Sequence, residues 1–329
     1  MRRAVVSPSP RCGACDRPVE PPRPRSARPW AYVKVAEGCD RRCGFCAIPS
    51  FRGPQRSRTV QSVLDEVDAL DVAEVVLVAQ DLAAYGRDQG VGERAIVPLV
   101  EAVSTRSRWV RLLYLYPSDL TDDLVDAICA TGVPYFDLSL QHVSAPLLRR
   151  MRRWGDGDGF LARIEDIRRR EPSAAFRSNF IVGYPGETEA DHDALCQFVE
   201  AAQLDWCGFF EFSDEEGTHA HTLDGHVDPR LRRERLAELS EVQDAITARR
   251  RADLIGRTVS VLVDEPGRGR THREAPEIDG IVHLRACPGG ADRAEAGGAA
   301  GEAIAAGSAV GSVIDAVVVD SEGPDLFVR

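Results

Sequence analysis

From Trp30 to about Asp253 the chain alternates short apolar runs with longer segments whose apolar positions recur every three to four residues. The runs are AYVKVA, AEVVLVA, VRLLYLY, YFDLSLQ, RSNFIVG and WCGFFEF. They are apolar on both faces, the pattern of strands covered on both sides. Between them lie TVQSVLDEVDAL, DLVDAICATG, FLARIEDIRRR and EADHDALCQFVEAAQ, which carry a helical period. Thr59 and Thr121 stand where an N-cap hydroxyl is needed, each with acids following in the first turn. Six such units predict an α/β domain, a parallel sheet with helices outside. In barrel-like folds of that kind the active rim lies at the C-terminal ends of the strands.

The pattern then changes twice. Asp228 to Asp253 is Arg/Glu-rich with apolar Leu231, Leu236, Leu239, Val242 and Ile246, which predicts one long amphipathic helix. After it, GRTVSVLVDE, IDGIVHLRA, SVIDAVVVD and DLFVR are short Val-rich runs bounded by Gly and Pro, the texture of a small β-barrel. The expected organisation is a Pro/Arg-rich tail over 1–29, a core domain over 30–253 and a barrel over 254–329. Within the last, an Ala/Gly-rich stretch at 287–309 reads as a loop.

Charge and cysteine usage narrow the class. The net charge of −11 disfavours a general nucleic-acid binder and suits a basic protein partner. Residues 254–329 hold twelve acids against seven arginines, whereas 1–29 hold seven arginines against two acids. No apolar run approaches the length of a membrane helix, and no secretory h-region opens the chain. Nine cysteines without a disulfide-like spacing fit a reducing compartment, so a cytoplasmic location is expected, with no membrane partner. Cys129, Cys196, Cys207 and Cys287 read as small core residues or incidental ones. Cys12 and Cys15 form half of a metal site, with no second half in the tail.

The candidate chemistry sits in EGCDRRCGFCAIPSFRG, directly after the first predicted strand and therefore on the active rim. Cys39, Cys43 and Cys46 have a C-x3-C-x2-C spacing. Three thiolates can hold three irons of a 4Fe–4S cluster and leave the fourth open to bind and activate a ligand, whereas electron-transfer clusters take four cysteines. The alternative is three ligands of a zinc site, which would want a fourth Cys or His at matching spacing; none follows nearby.

EGCDRRCGFCAIPSFRGPQRSR resembles the cluster loop of the methylthiotransferase branch of the radical S-adenosylmethionine (SAM) enzymes, with Phe45 as the aromatic before the third cysteine. VAQDLAAYG, YFDLSLQHVSAPLLRRMRR, RSNFIVGYPGETEADH and FFEFSDEEGT resemble the same branch, and the C-terminal segment resembles a TRAM domain. AIPSFRG, LQHVSAPLLRRMRR and APEIDGIVHL resemble the RimO type, which modifies an aspartate of a small-subunit ribosomal protein, more than the MiaB type, which modifies a tRNA adenosine. The acidic barrel agrees, because RNA binding calls for basic surface.

The resemblance implies a radical SAM partial (β/α)6 barrel followed by a TRAM barrel. It implies one 4Fe–4S cluster with an open iron on Cys39, Cys43 and Cys46, SAM as cofactor, and an electron donor as partner. The partner to be modified is a basic small-subunit ribosomal protein docking on the acidic barrel, with tRNA disfavoured. Gln80 and Asp81 take the place where the superfamily holds the methionine amino group. Ser139, Gln141 and Arg177 become contacts of the methionine carboxylate and ribose, and Gly183 and Gly186 let backbone approach the adenine. His142 reads as a satisfied structural histidine, and the run Arg149, Arg150, Arg152 and Arg153 as a solvated helix face. The family also has an N-terminal domain holding a second 4Fe–4S cluster used in sulfur delivery. With only 29 residues before Trp30, that domain is expected to be absent here. The function the resemblance implies is installation of a methylthio group on the β-carbon of an aspartate in ribosomal protein twelve of the small subunit, with a tRNA-adenosine methylthiotransferase of the MiaB type, or SAM cleavage without sulfur transfer, as the alternatives.

Overall fold

The structure, a computed structural model, describes residues 26–90, 95–285 and 309–329. Cys12, Cys15, Cys287, most of the Pro-rich segment and nearly all of the Ala/Gly-rich stretch lie outside them. In chain order the core holds β1 (Trp30–Lys34), β2 (Ala36–Glu37), α1 (Ile48–Arg52), β3 (Arg56–Ser57), α2 (Val60–Leu70), β4 (Glu74–Val78), α3 (Ile96–Ser104), β5 (Trp109–Leu112), α4 (Asp122–Ala130), β6 (Tyr135–Gln141), α5 (Ala145–Arg150), α6 (Gly157–Arg170), β7 (Ala175–Val182), α7 (Glu189–Ala202), β8 (Trp206–Glu211) and α8 (Pro229–Ala252).

The six apolar runs are the six parallel strands. β1, β4 and β5 pair in parallel, as do β6, β7 and β8. One parallel bridge, Leu115 to Leu138, joins the halves. The run VRLLYLY stops being a strand at Leu112 because Tyr114 takes a φ of 64°, and its N–H donates to Asp137 Oδ2 at 2.9 Å instead of to a strand. Leu77, Leu112, Phe136, Phe176 and Phe180 are fully buried where helices and sheet meet.

The caps explain where the helices start. Thr59 accepts from the Ser62 N–H and Thr121 from the Leu124 N–H. Acids follow in the first turn only at α4, with Asp122 and Asp123; α2 has none there, contrary to the sequence expectation. The helix α3 is not among the segments picked out by pattern, since Pro98 interrupts it. Proline is tolerated there because the first turn needs no intrahelical N–H donor.

The long helix α8 forms as expected with Asp228 as its cap, but its buried stripe differs. Leu231 is exposed, and the stripe is Arg235, Leu239, Gln243, Ile246, Thr247 and Arg251. Polar members are admissible because each is bonded: Arg235 to Glu187 and Glu189 at 2.8 Å each, Gln243 to Leu204 O at 3.0 Å.

Beyond α8 come β9 (Thr258–Glu265), β10 (Arg268–Arg270), β11 (Val282–Leu284), β12 (Val313–Glu322) and β13 (Asp325–Val328), closed into a barrel in the order β10-β11-β13-β12-β9. The barrel and the segment 271–281 pack against the parallel sheet through Trp109, Tyr135, Trp206, Leu262 and Ala275 and through a web of buried charges. Glu74 accepts from Arg111 at 2.7 Å and from Arg270 at 2.6 Å. Burial alone would raise its carboxyl, but Arg111 and Arg270 hold it below the usual range. Among the described residues no helix is long and apolar enough to cross a membrane.

Candidate active site

The loop carrying the cysteines is fixed at both ends. β2 and β3 pair antiparallel, Ala36 with Ser57 and Glu37 with Arg56, and so close the chain around it. Gly38 has a φ of 83°, and a Cβ there would lie 2.2 Å from the Pro54 carbonyl oxygen, so only glycine fits. Its N–H donates to Gln80 Oε1 at 2.8 Å, tying the loop to the end of β4. The Cys39 N–H donates to Gly53 O at 3.1 Å, the Gly44 N–H to Met151 O at 2.7 Å, and the Cys46 N–H to Cys43 O at 3.2 Å.

Cys39, Cys43, Phe45 and Cys46 line a cavity of about 180 Å³ together with Gln80, Asp81, Ser139 and Gln141. Eight of the predicted site residues thus converge on one place at the strands' C-terminal ends. Arg41, Ile48, Tyr114, Tyr116 and Arg153 complete the lining. The Tyr116 ring lies between two guanidiniums, Arg41 at 3.9 Å and Arg153 at 4.1 Å from its centroid. Arg41 bonds Asp81 Oδ2 at 2.6 Å and also Asp119. Asp81 Oδ1 is buried with no hydrogen-bond partner, an acceptor aimed at nothing in the protein.

The donor set on the cavity is three thiols and one unpartnered carboxylate oxygen, Asp81 Oδ1, which fits an iron–sulfur cluster held by three cysteines with one position left for a ligand. Burial, with the Asp81 charge and the other two thiols adding to it, pushes the Cys39 thiol up to about 11, and burial raises Cys46 as well. A metal centre bound at these thiols would displace protons.

The other predicted contacts fall elsewhere. Arg177 is the third residue of β7, near the opposite end of the strand from the cavity. Its guanidinium lies 3.5 Å from Asp137 and 3.4 Å from Asp279, between sheet and barrel segment. Gly183 (φ 78°) and Gly186 (φ 89°) shape the turn after β7 and lie against Arg232 and Arg150, not against the cavity. His142 is fully buried and accepts from the Ser144 N–H at 3.1 Å, but its Nε2 has no partner, so it is structural without being satisfied. Burial pushes it down to about 4.

Arg153 is the residue that sequence reasoning missed. Arg149 and Arg152 are exposed as expected of a solvated face, but Arg153 is 5% exposed. It donates to Cys43 Sγ at 3.3 Å and to the Ser139 carbonyl. The positive φ of Arg152, 57°, ends α5 and turns the next side chain inward. Charge-run reading carries no signal for such a turn; the aromatic Tyr116 that receives it lies far away in sequence.

Comparison with known proteins agrees with this geometry. Residues 33–199 match the Radical SAM superfamily and residues 255–329 the TRAM domain. A ribosomal protein uS12 methylthiotransferase RimO from Cutibacterium acnes is 43% identical over 92% of this chain and 61% of its own length. Its counterpart from a Nocardioides species is 42% identical over 99% of this chain and 67% of its own length. A third, from Kineococcus radiotolerans, is 46% identical over 78% and 56% respectively. The chain thus spans roughly three-fifths of these relatives' length. Among solved structures, the radical SAM enzyme coproporphyrinogen III oxidase (HemN) from Escherichia coli shares the fold at a TM-score of 0.50 and 16% identity, over 65% of this chain and 53% of its own. The chain belongs to the radical SAM superfamily and, within it, to the family of the uS12 methylthiotransferase RimO.

Proposed function

We propose that this chain is the SAM-cleaving portion of a methylthiotransferase that modifies an aspartate of small-subunit ribosomal protein uS12. The observation that carries the reading is the meeting of Cys39, Cys43 and Cys46 with Gln80, Asp81, Ser139 and Gln141 on one cavity. The three thiols are the protein ligands of one 4Fe–4S cluster, leaving its fourth iron for SAM. When bound, the cluster supplies the electron that cleaves SAM to a 5′-deoxyadenosyl radical.

The chain's own residues bind and orient. The unpaired Oδ1 of Asp81 is the acceptor for the methionine ammonium; burial raises this carboxyl, and Arg41 on Oδ2 pulls the other way. Gln80 holds the cysteine loop through Gly38. Ser139 and Gln141 offer polar groups to the methionine carboxylate and ribose. Arg153 donates to Cys43 Sγ and sets the charge at that sulfur. Phe45 walls the cavity and excludes water. For Arg177, Gly183 and Gly186 the placement favours structural roles over SAM contacts.

A reductant and a cytoplasmic setting belong to the same reading, as does a basic ribosomal partner. Docking of that partner through the barrel needs adjustment. Asp264, Glu274 and Asp279 turn inward, and the exposed residues of the described barrel are Glu265, Glu277, Asp315, Asp320 and Glu322 against Arg257, Arg268, Arg285 and Arg329. Over the described residues the outer face is close to balanced, so the overall charge of −11 is a better basis for attraction than that face alone.

The test is anaerobic reconstitution with iron and sulfide, then reaction with SAM, dithionite and recombinant uS12, alone and with sulfide and the cluster-loaded N-terminal domain of a RimO added. The expected result is 5′-deoxyadenosine by chromatography in both reactions and, by peptide mass spectrometry, one methylthio group on an aspartate of uS12 when the sulfur donor and that domain are present. Modification of a tRNA adenosine in place of uS12 would reassign the chain to the MiaB type. Cleavage of SAM without sulfur transfer would confine the function to radical generation, and absence of 5′-deoxyadenosine would overturn the reading.

A further inference from the structure

Away from the cysteine cavity, α7 and α8 bring three donor atoms to one point. His192 and Cys196 are four residues apart on α7 and so share a face. Glu238 reaches across from α8. His192 Nε2 lies 2.8 Å from Glu238 Oε2 and 3.6 Å from Cys196 Sγ, and the three ligand atoms all lie within 4.8 Å of one another.

A hydrogen-bond reading leaves this arrangement over-supplied. The Nε2 of a neutral imidazole either donates or accepts, so it can serve Glu238 or Cys196 but not both. The other nitrogen, Nδ1, is buried without a partner, so the ring is held only through the atom on which the donors converge. Asp193 and Glu200 add negative charge around the Cys196 thiol. Arg235, one turn earlier on α8, is committed to Glu187 and Glu189. Three lone pairs in a negative field are what a small, borderline-soft dication takes up.

We propose that His192, Cys196 and Glu238 form a mononuclear zinc(II) site, separate from the iron–sulfur centre, with its remaining position open to water. Zn(II) binds the Cys196 sulfur, the His192 Nε2 and a Glu238 oxygen. The thiol proton is released to solvent, the imidazole proton resides on Nδ1, and no oxidation state changes. The ion pins α7 to α8, the helix that leads into the barrel. The spacings need only small adjustment to reach tetrahedral distances, and Glu238, 63% exposed, is free to make it.

The experiment uses the full chain, cluster-reconstituted and anaerobic, given zinc sulfate and desalted. Metal analysis is paired with zinc K-edge absorption. The expected result is one zinc per chain with one sulfur and otherwise nitrogen and oxygen neighbours. Cys196→Ser and Glu238→Gln should each weaken zinc retention at least about tenfold in competition with a chromophoric chelator, with iron content unchanged. Glu238→Gln changes an exposed side chain and leaves the core intact, so it reports on the site even if Cys196→Ser misfolds. No retained zinc would overturn the proposal, as would zinc in an all-sulfur shell that is indifferent to both substitutions, since that ion would sit on Cys39, Cys43 and Cys46.

Discussion

β4 begins at Glu74 and delivers Asp81 three residues past its end, and these two buried carboxylates face opposite demands. Glu74 has both oxygens filled, one by Arg111 and one by Arg270 from the barrel. Asp81 has one oxygen filled by Arg41 and one left over. Asp264 and Glu274, on the barrel side, also spend both oxygens. Among the described residues the unpartnered charged side chains on that side are Arg111 and Arg251, each with one nitrogen to spare, beside a neutral amide oxygen of Gln243. One end of the sheet is thus electrostatically closed, and the other keeps acceptor atoms and thiols free for something that is not protein. A buried charge that is fully paired signals architecture, and one that is half paired signals a ligand.

That contrast can be broken at either end. The largest effect is expected from Cys43→Ala, which removes a cluster ligand: iron per chain should collapse and 5′-deoxyadenosine fall below detection, while the urea midpoint changes little. At the closed end, Glu74→Gln leaves Arg111 and Arg270 buried without a countercharge and should cost about 3–5 kcal/mol in urea melts, with SAM cleavage retained in whatever remains folded.

A smaller effect sits at Asp279, whose carboxyl is raised from 3.8 to about 6 by burial, against the opposing pull of Arg177 and the Tyr135 hydroxyl. The folded chain holds this proton more tightly than the unfolded chain. Its stabilisation is therefore complete below pH about 4 and is lost as pH rises through about 6, roughly 2–3 kcal/mol in all. Urea midpoints across that window should fall for the wild type relative to Asp279→Asn; parallel curves would refute the assignment. The smallest shift is expected from Arg153→Gln, which removes a cationic donor from Cys43 Sγ. Iron content should hold while the cluster potential, read by spectroscopic titration, becomes more negative by tens of millivolts.

The open end was largely readable because its signals are local. C-x3-C-x2-C spans eight residues, and Gln80, Asp81, Ser139 and Gln141 announce themselves at the ends of apolar runs. Arg177 lies apart from the cavity because it is the first residue of RSNFIVG, so it enters near the start of the strand and not at the rim. Arg153 was hidden by one backbone angle at Arg152. The closed end had no local signal at all. Glu74 and Arg270 are 196 residues apart, and nothing in either neighbourhood announces the other. The barrel's acid excess likewise read as surface charge until Asp264, Glu274 and Asp279 were found spent on internal arginines.

Gly38 carries a consequence for how this sequence can drift. Its neighbour Cys39 is constrained by the cluster role proposed for it, and Gly38 is constrained sterically, with the Pro54 oxygen 2.2 Å from where any side chain would begin. Arg42, within the same loop, is exposed and free to vary. On the proposed function, a saturation scan of this loop should show a residue without ligand atoms behaving like a metal ligand: missense changes at Gly38 are expected to shift the loop that carries Cys39 and to read as loss of iron.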